Sequence, residues 1–197
     1  MALGRPRQFE ENHVLDTMVR MFIRYGFEGV SIAAVCKETG VSLQSLYNTF
    51  GDKASLYQRA LARYGETAAD PMIAELLNTE DPIKALRDFV KKFELYNELP
   101  EGGGCLFTQS LASAVGGGPC DGAAARSYAN RIRKALRDRT RQAHAAGQLD
   151  GDPELIADAL LAASYGAAVV GRGGLPKAVI KNAVKESMKL LEPPAKS

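Results

Sequence analysis

Aspartate followed directly by proline occurs three times in this chain of 197 residues, at Asp70-Pro71, Asp81-Pro82 and Asp152-Pro153. An aspartate side chain accepts a backbone N–H at the start of a helix, and proline suits the next position because its missing N–H would be unpaired there. Alternating β-branched runs of about four to eight residues, which would indicate strands, are absent from the sequence. The sequence therefore predicts an all-α fold.

Helical periodicity and capping residues together predict about nine helices. The predicted spans are 9–25, 31–38, 42–48, 52–78, 82–98, 106–115, 121–147, 152–172 and 176–191. We expect an N-terminal three-helix domain over residues 1–55, a larger helical domain over residues 56–192, and a tail over residues 193–197.

A glycine turn between two short helical segments is the most informative motif of the chain. Gly40 supplies the backbone freedom for a sharp turn, and Ser42 can cap the next helix. Leu46 and Phe50, four residues apart, would form one buried stripe of that helix. Two short helices joined in this way are a helix-turn-helix unit, whose second helix enters the major groove of DNA.

The opposite face of this second helix carries only uncharged hydrogen-bonding groups. They are Gln44, Ser45, Tyr47, Asn48 and Thr49. These groups suit base edges and phosphates, and no acidic residue lies among them. Bulk charge alone would not indicate DNA binding, because 25 basic and 23 acidic residues leave a net charge of +2.

The motif residues and their spacing resemble the TetR family of transcriptional regulators over about residues 9–58. The matching segments are Gly26-Phe27-Glu28-Gly29-Val30-Ser31-Ile32, Gly40-Val41-Ser42, and Leu46-Tyr47-Asn48-Thr49-Phe50-Gly51-Asp52-Lys53 with Leu56. The resemblance implies an all-helical homodimer whose N-terminal domain binds a palindromic operator in double-stranded DNA. It also implies a C-terminal domain that dimerises and binds a small-molecule inducer, so that the protein acts as a ligand-released repressor.

The resemblance assigns DNA contacts to particular residues. They are Arg5 and Arg7 in a basic arm, Ser31 at the start of a helix, Ser42, Leu43, Gln44, Ser45, Tyr47 and Asn48 on the recognition helix, and Lys53 at the next helix. Three positions depart from the family pattern: Val30 replaces the usual threonine, Thr49 a common histidine, and Leu43 a frequent basic or polar residue. Base readout is therefore expected to depend mainly on Gln44, which suits adenine.

The C-terminal two thirds carry weaker signals, which are interpreted through the same resemblance. A cavity for an apolar or aromatic inducer is expected at Phe89, Phe93, Tyr96, Phe107, Ser110, Tyr128, Ile132 and Tyr165. An aromatic stripe of this kind also fits an ordinary core. Dimer contacts are expected on the last two helices, at Leu160, Ala163, Ala167, Ile180 and Val184, the alternative being burial within one subunit.

The cysteines give a compartment and an alternative hypothesis. Three widely spaced cysteines, Cys36, Cys105 and Cys120, suit a reducing cytoplasm better than a disulfide framework. Cys105 begins a short predicted helix beside the expected cavity, so a thiol or electrophile sensor is the alternative function.

Other classes of function find little support in the sequence. With His13 and His144 as the only histidines and no nucleophile elbow, we expect no catalysis, no metal and no cofactor. The basic run from Arg126 to Arg141 is interpreted as a solvated helix face, with an anionic ligand or a second contact surface as the alternatives. No stretch of about 18 uncharged apolar residues occurs, so no membrane-spanning helix is expected.

Overall fold

The computed structural model describes residues 6–97, 104–114 and 122–193, and these ranges form helices and connecting turns without a strand. The helices are α1 (Pro6–Gly29), α2 (Ile32–Thr39), α3 (Leu43–Phe50), α4 (Lys53–Tyr64), α5 (Asp70–Asn78), α6 (Pro82–Lys91), α7 (Leu106–Ser113), α8 (Ala123–Ala145), α9 (Pro153–Arg172) and α10 (Lys177–Lys189). A π-helical turn, Gly65–Ala69, joins α4 to α5, and a 3-10 helix, Lys92–Asn97, follows α6. The all-α prediction is confirmed.

Aspartate caps begin three helices, and two of them belong to the Asp-Pro pairs from which caps are predicted. Asp52 accepts the Ser55 N–H at 2.7 Å to start α4, while Asp81 starts α6 and Asp152 starts α9. Asp70 is the exception, because its backbone is helical and its N–H donates to the Gly65 carbonyl five residues earlier.

The π-helical turn lies directly before Pro71. Proline lacks an N–H, and its ring clashes with the carbonyl four residues earlier in a regular α-helix. A wider turn at Gly65–Ala69 relieves that clash, so the chain continues from α4 into α5 instead of starting a new helix at Asp70.

The first four helices share one small core. Met18 and Phe22 of α1 are fully buried with Leu46 of α3, and the Phe22 ring meets the Tyr57 ring of α4 edge-on at 4.8 Å between centroids. Gly26, at φ 73°, breaks the end of α1 and directs Phe27 back onto Tyr57. The boundary expected at residue 55 falls within α4, whose buried residues complete this core.

The remaining helices pack around α8, which contacts α5, α6, α7 and α9, while α10 covers α6 and α9. Arg139 of α8 is buried and donates to the carbonyls of Leu76, Leu77 and Thr79 at the end of α5. Arg133 and Arg137 bind Asp158 of α9. Much of the basic run therefore joins helices to one another, whereas the sequence suggested a solvated face.

Among the described residues α9 is long and apolar enough to cross a membrane by length and composition alone, although a core helix meets the same criteria. One side of α9 packs on α8 and α10. Asp158 lies within it and is paired with two arginines of α8. Some apolar residues of α9 therefore lie in contacts with other helices, and the others form an exposed stripe.

Candidate DNA-binding surface and ligand cavity

The outer face of α3 presents the residues predicted to read DNA. Leu43 is 52% exposed and Tyr47 is 45% exposed, and Gln44, Ser45 and Asn48 are exposed beside them. Their exposure follows from the opposite stripe of α3, which is buried against α1 and α4. The Gln44 amide donates to the Asn48 side chain at 3.0 Å, so the two longest polar groups of this face are aligned with each other.

Serine side chains start both helices of the motif. Ser31 accepts the Ala34 N–H at 3.1 Å, and Ser42 accepts the Ser45 N–H at 3.2 Å. Gly40 between them adopts φ 70°, the left-handed conformation that the turn requires. Both serines are exposed beside outward-pointing helix N-termini, where a phosphate is electrostatically favoured.

Lys53 is the first residue of α4, and its ammonium lies 4.4 Å from the centroid of the Phe27 ring. A cation at a helix N-terminus is opposed by the helix dipole, so this position gains nothing from the helix itself. A ring face stabilises the ammonium, which remains half-buried at the same surface as α3. Of the predicted basic arm, Arg5 lies outside the described residues and Arg7 lies in the first turn of α1.

Two arginines of α4 join the helices of this surface. Neither was predicted from the sequence. Arg63 binds Asp16 of α1 through two hydrogen bonds of 2.7 and 3.2 Å, which lower the pKa of the Asp16 carboxyl. Arg59 donates to the Thr49 carbonyl at the end of α3 and to Glu11 of α1, each at 3.0 Å. These contacts join residues up to 48 apart in sequence, so no local pattern indicates them.

A cavity of about 510 Å³ lies between the end of α1 and the helices from α4 to α9, and its volume is within the range typical of small-molecule sites. Six of the eight residues predicted for a ligand line it: Phe89, Phe93, Tyr96, Tyr128, Ile132 and Tyr165. The structure therefore brings together aromatic residues from α6, the 3-10 helix, α8 and α9.

Phe107 and Ser110 do not line the cavity, although the sequence predicted both. The Phe107 ring stacks on Tyr128 at 4.6 Å and meets Tyr64 at 5.4 Å, so it supports the wall from behind. Ser110 is buried in α7, and its hydroxyl has no hydrogen-bond partner. Both residues lie on α7, whose predicted helical span gave no indication of which face meets the cavity.

Several lining residues were not predicted, among them Tyr64, Met72, Glu75, Lys92 and Cys105. The Cys105 thiol is a hydrogen-bond partner of the Tyr64 hydroxyl, and the Lys92 ammonium pairs with the Glu75 carboxylate. Tyr64 and Met72 flank the π-helical turn, whose presence was not evident from the sequence. Within the described residues, no cluster of acidic, histidine and cysteine side chains could hold a metal ion.

Burial raises the pKa of all four cavity tyrosines, Tyr64, Tyr96, Tyr128 and Tyr165. Their hydroxyls consequently stay protonated at neutral pH and act as neutral hydrogen-bonding groups. Glu75 and Lys92 are the charged side chains among the lining residues described, and they neutralise each other. The cavity is therefore aromatic, hydroxyl-bearing and without net charge.

One backbone carbonyl of α1 is hydrogen-bonded to both α7 and α9. The break at Gly26 leaves the Ile23 carbonyl of α1 open, and it accepts hydrogen bonds from Gln109 of α7, at 3.0 Å, and from Arg172 of α9. Ile23 also lines the cavity. A second cavity of about 280 Å³ lies next to this junction, between Phe27 and Tyr57 on one side and α7 and α9 on the other.

The residues predicted for a dimer interface mostly face the chain's own core. Leu160, Ala167, Ile180 and Val184 are buried, and Ala163 is half-buried. Because α9 is apolar around most of its circumference, periodicity did not distinguish its inner from its outer face. The exposed stripe of α9 consists of Leu155, Ala159, Ala162, Gly166 and Val169, at alternating spacings of four and three residues.

Comparison with known sequences gives matches to part of the chain. The model of a family described as "Bacterial regulatory proteins, tetR family" matches residues 14–60. The HTH-type transcriptional repressor BdcR of Escherichia coli (strain K12) is 35% identical over 103 residues, which cover 52% of this chain and 51% of BdcR. The chain thus matches about half the length of this curated relative.

Comparison with solved structures extends over nearly the whole chain. A TetR transcriptional regulator from Chloroflexus aurantiacus superposes with a TM-score of 0.83 at 19% identity, covering 94% of this chain and 96% of that one. A cysteine mutant of the regulator CifR, complexed with 26bp double-strand operator DNA, gives a TM-score of 0.72 at 25% identity, covering 96% and 97%.

Proposed function

Because the chain belongs to the TetR family of DNA-binding transcriptional regulators, we propose that it is a repressor released from its operator by a small apolar ligand. In this proposal two copies of the chain bind the two halves of a palindromic operator. We expect it to act in the cytoplasm, on double-stranded DNA, and without a cofactor.

The observation that carries the proposal is the outer face of α3. Leu43, Gln44, Tyr47 and Asn48 are exposed together on a short helix that is fixed by a serine cap and by the Arg59 contact to its C-terminal end. Side chains of these types contact phosphates and base edges in protein–DNA complexes. BdcR, which this chain resembles in sequence, is named a transcriptional repressor.

Dimer formation is supported by the exposed stripe of α9. Leu155 is 69% exposed and Val169 is 56% exposed, and the residues between them on this face are small. A stripe with spacings of four and three residues packs against a second helix by interdigitation. Leu175, before α10, and Val179, within α10, are further exposed apolar residues. A second copy of the chain would bury both helices in one bundle.

Ligand release is supported by the position of Ile23. Its side chain lines the cavity, and its carbonyl is held by Gln109 and Arg172 of the ligand domain. A molecule that moves α7 or α9 therefore moves the end of α1, and with it the helix-turn-helix unit. The π-helical turn, beside Tyr64 and Ala68 of the cavity wall, gives a second connection through α4.

A second candidate function is a thiol switch at Cys105. The observation that favours it is that Cys105 lines the cavity and contacts the Tyr64 hydroxyl. An electrophilic ligand that entered the cavity would meet this sulfur. In that case release would require the thiol, whereas a non-covalent ligand would not.

The test is a gel shift with DNA from upstream of the protein's own coding sequence. We expect a shift whose affinity falls at least about a hundredfold between about 50 mM and about 200 mM salt, because several phosphate contacts release counterions. A folded dimer that shifts no fragment at any salt concentration would contradict the proposal.

Variants separate the two modes of release. Quinone and peroxide should release wild-type protein but not Cys105→Ser if the thiol switch operates, and should act equally on both if it does not.

Gln109→Ala should bind operator normally but need a higher ligand occupancy for release, because one of the two hydrogen bonds to Ile23 is lost.

A further inference from the structure

Tyr165 of α9 has a polar group that the protein leaves unsatisfied. Its hydroxyl oxygen is buried at the wall of the large cavity and has no hydrogen-bond partner. A buried hydroxyl without a partner costs free energy relative to one that is hydrogen-bonded. A group of this kind at the wall of a cavity indicates a partner that enters from outside.

Other polar groups of the same wall already have partners. The Tyr64 hydroxyl is bonded to Cys105, the Ser164 hydroxyl donates to the Leu161 carbonyl at 2.7 Å, and Lys92 is paired with Glu75. Among the buried polar atoms of the described residues that have no partner, the Tyr165 hydroxyl oxygen is the one that belongs to a residue lining this cavity.

The charge of the cavity restricts the partner further. Glu75 and Lys92 compensate each other, so the cavity holds no unpaired charge for an ionic ligand. An ion placed among Phe89, Phe93 and Tyr96 would lose its hydration without a counter-charge. The Tyr165 hydroxyl keeps its proton because burial raises its pKa, so it is available as a donor.

We propose that the ligand of this cavity is an uncharged aromatic molecule with a carbonyl or ether oxygen that accepts a hydrogen bond from the Tyr165 hydroxyl. The aromatic walls bind the apolar body, and Tyr165 fixes its orientation. The inference rests on the proposed function in one respect, namely that the cavity is the ligand site.

Three probes of nearly equal size test the proposal by calorimetry on the full chain. They are 2-acetylnaphthalene, which carries a carbonyl; 2-isopropenylnaphthalene, which has the same shape without the oxygen acceptor; and 2-naphthoate, which is an anion. We expect the ketone to bind about tenfold more tightly than the alkene, as one buried hydrogen bond allows. The anion should bind most weakly.

Two tyrosine variants locate the hydrogen bond. Tyr165→Phe should reduce the ketone-to-alkene ratio to about one, and Tyr64→Phe, which removes a hydroxyl that already has a partner, should preserve it. Equal binding of ketone and alkene, a ratio that survives in Tyr165→Phe, tighter binding of naphthoate, or no binding of the ketone would each overturn the proposal.

Thermal unfolding gives an independent measurement without ligand. Tyr165→Phe should unfold at the same temperature as the wild type or higher, because the variant removes an unpaired buried hydroxyl. A clearly lower unfolding temperature would mean that the hydroxyl has a partner within the protein, and would overturn the assignment. Operator binding is a separate readout: a chain that binds no DNA but shows the Tyr165-dependent preference contradicts the proposed function and not this inference.

Discussion

The hydrogen bond between Gln44 and Asn48 affects how α3 can read a base. The Gln44 amide nitrogen has two N–H groups, and one of them is used by Asn48 at 3.0 Å. The second N–H and the amide oxygen remain available, and these are the donor and the acceptor that an adenine requires in the major groove. Asn48 thus orients Gln44 and leaves free the donor and the acceptor with which Gln44 is proposed to read a base.

Replacing Gln44 by alanine should reduce the preference for one base and should leave the affinity for DNA without that base unchanged. We expect a loss of about tenfold in discrimination at one position of each half-site, which corresponds to one bidentate contact. Binding measured on operators with every base at each position would show this loss. Tyr47→Phe is the matched variant, because loss of a phosphate contact should weaken binding to all operators alike. A Gln44→Ala protein with unchanged base preference would contradict the assignment.

Side chains whose roles depend on local geometry could be predicted from the sequence. Ser42 caps α3 and Gly40 turns the chain because both effects act within about four residues. Leu160 and Ala167 could not be assigned in the same way, since they lie on an apolar helix whose inner face is chosen by α8 and α10. Tyr64 lines the cavity at the end of α4, directly before the π-helical turn. That turn is imposed by Pro71, which lies outside α4.

Among the helices, the contact between α8 and α9 includes one carboxylate, Asp158, that two arginines share. Asp158 accepts hydrogen bonds from Arg133 at 2.7 Å and from Arg137 at 2.9 Å. These bonds hold the pKa of Asp158 well below its ordinary value of 3.8. The stabilisation by this lowered pKa is complete above the unfolded-state pKa, and it is lost as pH falls through the folded-state pKa.

Asp158→Asn should therefore lower the free energy of unfolding at pH 7, and the difference from the wild type should shrink below about pH 4. Urea unfolding from neutral to acidic pH measures both effects. Asp138→Asn is the control, because Asp138 pairs with Lys134 within one exposed turn of α8, where ion pairs contribute little. A difference that stays constant throughout the acidic range would show that Asp158 acts by packing and not by charge.

For the whole molecule, a net charge of +2 has consequences for how specificity is obtained. A low net charge attracts DNA only weakly, so non-specific binding is modest. One helix-turn-helix unit alone therefore has a low affinity for DNA. Two units on paired half-sites bind more tightly because the second contact is made within the same complex. In the proposed dimer, operator binding therefore also requires the apolar stripe of α9, which joins the two copies of the chain.

Gly166 lies at the middle of that stripe and gives a direct test of the dimer. A Cβ atom added there meets nothing within 4 Å in the single chain, and replacing a helical glycine raises helix propensity. Gly166→Arg should therefore keep the fold of the subunit and place a charge in the interface. Light scattering should then show a monomer. Operator affinity should fall at least about a hundredfold as the second half-site is lost. Ala74→Arg adds the same charge to an exposed position of α5 and should leave both the dimer and the affinity unchanged. A Gly166→Arg protein that remains dimeric would place the interface on another surface.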